Sequence, residues 1–256
     1  MNILNKPYNN YISLGYFCSI ALDLEELGLR NGSYPFDWCI TDFKGVNSLI
    51  KNDFNNLFKE DNLYQSQNKP SHYQNVEYKF FFFHDFKDDV SLSNQIQNVK
   101  SKYNRRIKRF YNDIQEPTLF IRYISSEKVN ENGKSIELEY IENNIDTIRQ
   151  LYKSFNIDNE VIFLGDNSIQ SDVIEIYHVP IDENDNVCRK PLFSNNDLVE
   201  YFTNVTFPKR LENLKRYQTK SKDRKNIFLK VKNKIFRIYH NRFVTKYKHY
   251  QTYIDD

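Results

Sequence analysis

The sequence has few cysteines, and none of them pairs with another in a metal-binding or disulfide pattern. Cys18, Cys39 and Cys188 are three in number and include no C-x-x-C spacing. An odd number without such a pair argues against a disulfide framework and against a structural zinc site. We therefore expect reduced thiols in a cytosolic compartment.

Long apolar segments and nucleotide-binding motifs are also lacking. Residues 1–10 contain no apolar core of a secretory signal, and no stretch approaches the ~20 apolar residues that span a bilayer. The patterns G-x-G-x-x-G, P-loop and H-E-x-x-H are missing as well. We expect a soluble or peripheral cytoplasmic protein that uses no metal and no other cofactor.

Charge is unevenly distributed along the chain. The net charge is +2, yet residues 209–250 hold 15 Lys or Arg and only two acids. This split predicts a globular domain over residues 1–208 and a basic extension over residues 209–256, with the boundary near Pro208. Within the extension, the apolar residues of 227–243 recur on one helical face, which predicts a basic amphipathic helix. Such a helix either lies on an anionic membrane surface or packs on the domain.

The apolar pattern predicts an α/β fold. Apolar content is only 39%, but 19 Tyr and 20 Phe supply large apolar areas for a core. Helices alternating with strands favour a layered, largely parallel sheet with flanking helices, with an α+β papain-like arrangement as the alternative. Residues 61–75 look like a polar loop. The predicted strands cover 11–14, 77–85, 118–124, 160–166 and 173–180; the predicted helices cover 18–28, about ten residues after a Thr41 cap, a long stretch from Ser91 or Ser93, 135–155 and 195–204.

Cys18 follows a strand and a glycine turn and begins a helix. Partial positive charge at a helix N-terminus favours the thiolate of Cys18. The free backbone N–H groups around residues 17–19 can hold an oxyanion. The same position also suits a small buried apolar side chain, which is a common role of free cysteine. Position alone does not separate these two interpretations.

A nucleophilic thiol needs a base, and the sequence offers five histidines. His84 lies where an apolar strand ends, and His178, also near a strand end, is the reserve candidate. Asp85 directly follows His84 and would point to the opposite face of a strand. Asp37 sits between large aromatic side chains in "SYPFDW", so its carboxylate needs a partner: a histidine, Arg30 or a backbone amide.

Basic residues form a third feature. Lys102, Arg105, Arg106 and Arg109 are spaced to form a cationic stripe on one helix. Arg122 lies inside an apolar strand, so it either pairs with an acid or faces an anionic ligand. We expect an anionic small-molecule or glycan substrate, and we assign substrate binding to Gly15, Ser19, Arg30, Trp38, Arg105, Arg106 and Arg122. Nucleic acid is not expected, because no reading motif accompanies the charge.

Four short blocks occur in a fixed order: "SLGYFC", "GLRNGSYPFDW", "FFHDF", and "RRIKRF" with "LFIRY". Together they resemble a bacterial family of unknown function described as papain-like cysteine peptidases. The resemblance covers roughly residues 10–180, and the long basic extension departs from it. It implies that Cys18 and His84 form a functional pair, and it suggests a role in surface-polysaccharide synthesis, where acyl transfer would be as reasonable as peptide cleavage.

These observations predict a thiol-dependent acyl-transfer enzyme, either a hydrolase or a transferase. Cys18 attacks a carbonyl, His84 moves the proton, and Asp37 or Asp85 orients the imidazole. The alternative is a surface-glycan protein, non-catalytic or glycosyl-transferring, in which Cys18 only packs. The basic extension predicts that the protein binds peripherally to the inner face of the membrane.

Overall fold

A computed structural model describes residues 3–182 and 187–230, without the side chains of 222–230. Its centre is a parallel four-stranded sheet, in which the strands follow one another across the sheet in chain order. The predicted parallel sheet is confirmed, although the last strand is shorter than expected. The strands of this sheet are β1 (Asn10–Ser13), β6 (Thr118–Tyr123), β7 (Glu160–Gly165) and β8 (Ile176–His178).

In the described residues, six α-helices accompany the two sheets. Ser91 and Ser135 precede α3 and α4, as predicted, and the Ser135 hydroxyl accepts from the Leu138 amide. The cap predicted for α2 was wrong: Thr41 belongs to a strand, and the Asp42 side chain accepts from the Gly45 amide instead. The helices are α1 (Ser19–Glu26), α2 (Phe43–Lys51), α3 (Leu92–Asp113), α4 (Ile136–Lys153), α5 (Asn196–Asn204) and α6 (Arg210–Lys230).

The parallel sheet separates two apolar cores because successive strand residues point to opposite faces. In β6, Phe120 packs into one core with α2, α3 and α4, whereas Ile121 packs into the other with α1 and α5. All six residues of β6 are buried, and one of them is Arg122. The central strand is therefore covered on both faces, as expected for a layered α/β protein.

A second, antiparallel sheet was not predicted. Residues 61–75, expected to be a loop, contain two of its strands, and the segment 77–85 forms a strand only over Phe80–Phe82. Adjacent strands lie in the order β2, β5, β4, β3. Residues 61–75 have polar side chains at most strand positions, so the sequence does not show the alternation of apolar residues that predicts a strand. The strands are β2 (Cys39–Thr41), β3 (Leu63–Gln65), β4 (Tyr73–Asn75) and β5 (Phe80–Phe82).

The start of the basic extension packs on the domain. The Asn213 amide donates to the Gly28 carbonyl at 3.1 Å, and Lys220 pairs with Glu25 of α1. The predicted amphipathic helix at 227–243 lies outside the described residues from 231 onward, and the proposed boundary at 208 stays a prediction. In the part of the chain that the structure describes, no helix combines the length and apolarity needed to cross a membrane.

Asp23 supplies a pH-dependent contribution to stability within α1. It is 1% exposed, its carboxylate accepts from the Leu192 amide at 2.9 Å, and burial raises its pKa from 3.8 to about 7. Between these two pH values the folded protein keeps a proton that the unfolded chain releases. Stability therefore falls as the pH rises from about 4 to about 7, by at most about 1.4 kcal/mol per pH unit from this group.

We expect Asp23→Asn to remove this contribution. Its free energy of unfolding, minus that of the wild type, should increase from pH 4 to pH 7 and stay level above pH 7. Urea unfolding at several pH values measures the difference. Glu26→Gln, at a partly exposed carboxylate on the same helix, is the control and should show no such increase. A constant difference between Asp23→Asn and wild type would contradict the assignment.

Candidate functional site

Cys18 stands where β1 gives way to α1. It is the N-cap residue of α1, it is partly exposed, and its carbonyl accepts the first helical hydrogen bond from the Leu22 amide at 3.0 Å. The thiol therefore lies at the N-terminal end of a helix, where the helix dipole favours the thiolate. Ser19, the first helical residue, is buried, and its hydroxyl makes no hydrogen bond to the described residues.

The turn before Cys18 requires glycine at residue 15. Gly15 has φ +82°, and a Cβ atom there would lie 2.5 Å from Thr41 Oγ1 and 3.0 Å from Arg122 Nη1. The next residue, Tyr16, accepts a backbone hydrogen bond from the Thr41 amide at 3.3 Å. Gly15 thus allows the turn to pack closely on the second sheet. Its assignment to substrate binding stays a prediction.

One small pocket has both Cys18 and His84 in its wall. Trp38 also contributes, so the structure brings three of the predicted site residues together. The pocket is lined by Phe17, Cys18, Trp38, Cys39, Ile40, Phe83 and His84.

The antiparallel sheet explains why His84 reaches this pocket. β2 pairs with β5 in a register that sets Cys39 opposite Phe82, so Trp38 and His84 continue from the ends of neighbouring strands. β2 is in turn joined to the turn before Cys18 by the Thr41–Tyr16 hydrogen bond. His84 was expected at the edge of the parallel sheet. It follows a strand of the second sheet instead, and that sheet carries it to the thiol.

Asp37 is held by Arg30. The Arg30 guanidinium donates through Nε (3.2 Å) and Nη2 to Asp37 Oδ2, and the Tyr34 amide donates to the same oxygen at 2.7 Å. Arg30 also donates to Ser33 Oγ at 3.0 Å and lies over the Trp38 ring, 5.4 Å from its centroid. Of the alternatives stated for Asp37, these contacts match Arg30 and the backbone amide. Arg30 and Asp37 thereby hold the loop that presents Trp38.

Asp85 points toward α3. Its side chain is 2% exposed, pairs with Lys102, accepts from the Tyr103 hydroxyl at 2.9 Å and lies 3.9 Å from Arg106 Nη1. Arg105, on the exposed side of the same helix, donates to Ser101 within α3. These contacts tie the segment after β5 to α3. They engage the Asp85 carboxylate with α3, and its assignment as the group that orients the imidazole stays a prediction.

Arg122 is fully buried, and all five of its N–H donors are paired with protein oxygens. Nε and Nη2 form a bidentate pair with Glu137 at 2.7 and 2.8 Å. Nη1 donates to the Leu14 carbonyl and to Thr41 Oγ1, and Nη2 donates to the Thr41 carbonyl. Arg122 therefore pairs with an acid, the first of its two alternatives, and connects the two sheets to α4.

His178, the reserve base, lies on β8, at the opposite edge of the parallel sheet from β1. Three strand spacings amount to about 14 Å. Its Nδ1 is 3.2 Å from the Asp166 carbonyl. The order of the strands therefore favours His84 over His178 as the partner of Cys18.

His72 is a residue whose position the sequence interpretation missed. It lies within residues 61–75, which were expected to form a polar loop, yet it is 1% exposed and stacks on Phe83 with ring centroids 4.7 Å apart. It therefore backs one wall of the pocket. The pattern that could have revealed it is the short separation between "HYQN" and "KFFFF", which is typical of two paired strands.

The other two thiols are poor nucleophiles. Cys39 is fully buried, and burial raises its pKa well above 9.0. Burial also raises the pKa of Cys188, whose sulfur lies 3.5 Å from Ser194 Oγ. Both thiols stay protonated at neutral pH, so they provide internal references for the reactivity of Cys18.

Comparison with known proteins places the chain in a family. The model of the family described as "Putative papain-like cysteine peptidase" matches residues 9–164, which include Cys18, His84 and all of their pocket. The chain belongs to this family. The matched region ends within β7, so α5, α6 and the basic extension lie outside it.

A viral protein is also similar to part of this papain-like family member. "Uncharacterized protein R408" of Acanthamoeba polyphaga mimivirus is 34% identical over 121 residues, which are 40% of this chain and 54% of that protein. The chain thus spans about half the length of this relative. No solved structure matches the chain.

Proposed function

We propose that the protein is a thiol-dependent acyl-transfer enzyme, a hydrolase or a transferase, with Cys18 as nucleophile and His84 as its base. The observation that carries the proposal is that Cys18, at the N-terminus of α1, and His84 line one pocket. Membership of a papain-like family supports the same pair. Each of these residues alone would be an ordinary structural side chain.

The proposed reaction follows from this arrangement. His84 takes the thiol proton, Cys18 Sγ attacks the carbonyl carbon, and backbone N–H groups at the start of α1 stabilise the oxyanion. As the bond to the leaving group breaks, His84 returns the proton to it, which leaves a thioester on Cys18. Water or an acceptor hydroxyl or amine then attacks the thioester and releases the acyl group. Arg30 and Asp37 act through the loop that carries Trp38.

Surface-polysaccharide synthesis and binding to an anionic membrane through residues 209–250 stay predictions. The first comes only from the family resemblance. The second depends on a basic segment of which only the start is described, and there Asn213 and Lys220 contact the domain. The rival interpretation, a surface-glycan protein in which Cys18 only packs, differs in one measurable property, the reactivity of the thiol.

We expect Cys18 to react with iodoacetamide at least about ten times faster than Cys39 and Cys188 at pH 7. Cys18 is partly exposed at a helix N-terminus and lines the same pocket as His84, whereas burial raises the pKa of the other two thiols. Mass spectrometry of peptides from a time course gives the rate at each cysteine.

His84→Ala separates activation by the imidazole from simple exposure. An imidazolium beside Cys18 favours the thiolate, so the variant should shift the midpoint of the Cys18 rate–pH profile to higher pH. His178→Ala is the matched control and should leave the profile unchanged. Equal rates at the three cysteines, or a profile that does not respond to His84→Ala, would refute the proposed pair.

A further inference from the structure

We propose that the acyl group accepted by Cys18 is small and uncharged, about the size of an acetyl or propionyl group, and that Trp38 sets this limit. The inference rests on the proposed function, since it requires Cys18 to be acylated. It replaces the anionic substrate that the arginine-rich motifs suggested with a substrate whose reacting end is apolar and short.

The chemistry of the pocket wall excludes a charged acyl group. Besides Cys18 and His84, the pocket is lined by Phe17, Trp38, Cys39, Ile40 and Phe83, all of them uncharged and most of them large and apolar. A carboxylate or phosphate seated there would lose its hydration against apolar side chains, and no described Lys or Arg lines the pocket to offset that cost. An alkyl group would instead bury apolar area, which is favourable.

The arginines that could have served an anion are committed elsewhere. Arg30 is bound to Asp37, Arg106 lies against Asp85 and over the Tyr103 ring, and Arg122 is paired with Glu137. Releasing Arg30 or Arg122 toward a ligand would leave a buried carboxylate without its guanidinium partner, whereas Asp85 would keep Lys102 if Arg106 moved. The cationic residues of these motifs therefore serve the fold rather than the acyl pocket.

The size of the pocket limits the acyl chain. About 20 Å³ is open to the centre of a water-sized group, whereas a single water needs about 10–15 Å³ on the same measure. The pocket therefore has room for one or two carbon atoms beyond the carbonyl. A longer chain would have to displace the wall or extend through the open side of the pocket into solvent, where it gains no apolar contact.

Both aromatic walls are backed by stacked groups, which makes such displacement unfavourable. Arg30 lies over the Trp38 ring at 5.4 Å and is itself fixed by Asp37. On the other wall, His72 stacks on Phe83 at 4.7 Å. Moving either ring would break a packed contact on its far side, so the limit on chain length is built into the loop 30–38 and the second sheet.

The test is acylation of the full-length protein by p-nitrophenyl acetate, butyrate and hexanoate. Attack by Cys18 Sγ forms the thioester and breaks the ester C–O bond, p-nitrophenolate leaves, and the thiol proton passes to His84. We expect the wild type to release nitrophenolate from the acetate at least about ten times faster than from the hexanoate, after subtraction of the Cys18→Ala background. In Trp38→Ala this ratio should fall toward one.

Two further variants distinguish a change in the pocket wall from misfolding of Trp38→Ala. Trp38→Phe retains an aromatic wall and should keep most of the selectivity, while Ile40→Ala widens the pocket without removing the contact of Arg30 with Trp38. If mass spectrometry finds no acyl group on Cys18 with any ester, the proposed function fails. If Cys18 is acylated at equal rates by all three esters, or both widened variants keep the wild-type ratio, the size limit is overturned while the proposed function stands.

Discussion

Replacing Arg122 by methionine is expected to lower the free energy of unfolding by about 3–5 kcal/mol. The substitution keeps the apolar volume but leaves Glu137, which is 10% exposed, without its cation. It also leaves the carbonyls of Leu14 and Thr41 without donors in a dry part of the core. Urea unfolding followed by circular dichroism measures the loss.

The loss should depend on pH. Burial raises the pKa of Glu137 above its usual 4.5 even beside Arg122, and removal of the guanidinium raises it further. Below about pH 4.5 the carboxyl is protonated in both the folded and the unfolded state, so the loss is smallest there. It grows over the pH range between the raised pKa of Glu137 in the folded wild type and the still higher pKa in the folded variant.

A double-mutant cycle separates the ion pair from the other contacts of Arg122. Glu137→Gln in the Arg122→Met background should recover part of the stability, because it removes the unpaired carboxylate but not the unpaired carbonyls. Arg122→Lys should also be destabilising, since one ammonium cannot replace five donors in a fixed plane. A loss below about 1 kcal/mol for Arg122→Met would show that Arg122 does not hold the two sheets together.

Gly45→Ala is expected to destabilise the protein by about 3 kcal/mol, although alanine is the better helix former. A Cβ atom at Gly45 would lie 1.9 Å from the Tyr78 carbonyl oxygen and 2.9 Å from its carbon. The turn at Tyr78 cannot yield freely, because its amide donates to Asn75 Oδ1 and its hydroxyl to the Asn55 carbonyl. α2 must therefore move away from the strand that leads to His84.

Lys44→Ala, at the exposed neighbouring position of α2, is the matched control and should change stability by less than about 0.5 kcal/mol. Because the turn at Tyr78 runs into β5, folded Gly45→Ala should also shift the pH midpoint of Cys18 alkylation toward that of His84→Ala. Equal unfolding midpoints for Gly45→Ala and Lys44→Ala would show that the close approach of α2 to Tyr78 is not required.

Local patterns were sufficient for the elements of the parallel sheet. Apolar spacing predicted α3, with Ser91 or Ser93 at its start, and the apolar residues around Arg122 predicted β6. These patterns are formed by residues close together in the chain, so they can be recognised without knowing which other elements the helix or strand packs against. The second sheet escaped prediction because its strands are three residues long and obtain their stability from pairing, as in Cys39 with Phe82.

The candidate site shows the same division. Cys18 at the start of a helix could be read from the glycine turn before it and the periodic apolar residues after it. The partners of the charged residues could not be decided, because the sequence left more than one candidate for each and only the folded chain brings one of them into contact. In the structure Asp37 pairs with Arg30, Asp85 pairs with Lys102, and Arg122 pairs with Glu137. Side chains that were predicted to serve catalysis or substrate binding therefore form ion pairs within the protein.

The sequence by itself determined the layered α/β class, the place of Cys18 at the start of α1, and the family that its motifs resemble. Only the tertiary structure decided that His84 shares a pocket with Cys18, and that the wall between them is apolar. The physical reason is that strand periodicity is a local property, whereas the partner of a buried charge or of a short strand is decided by desolvation and pairing across the whole chain.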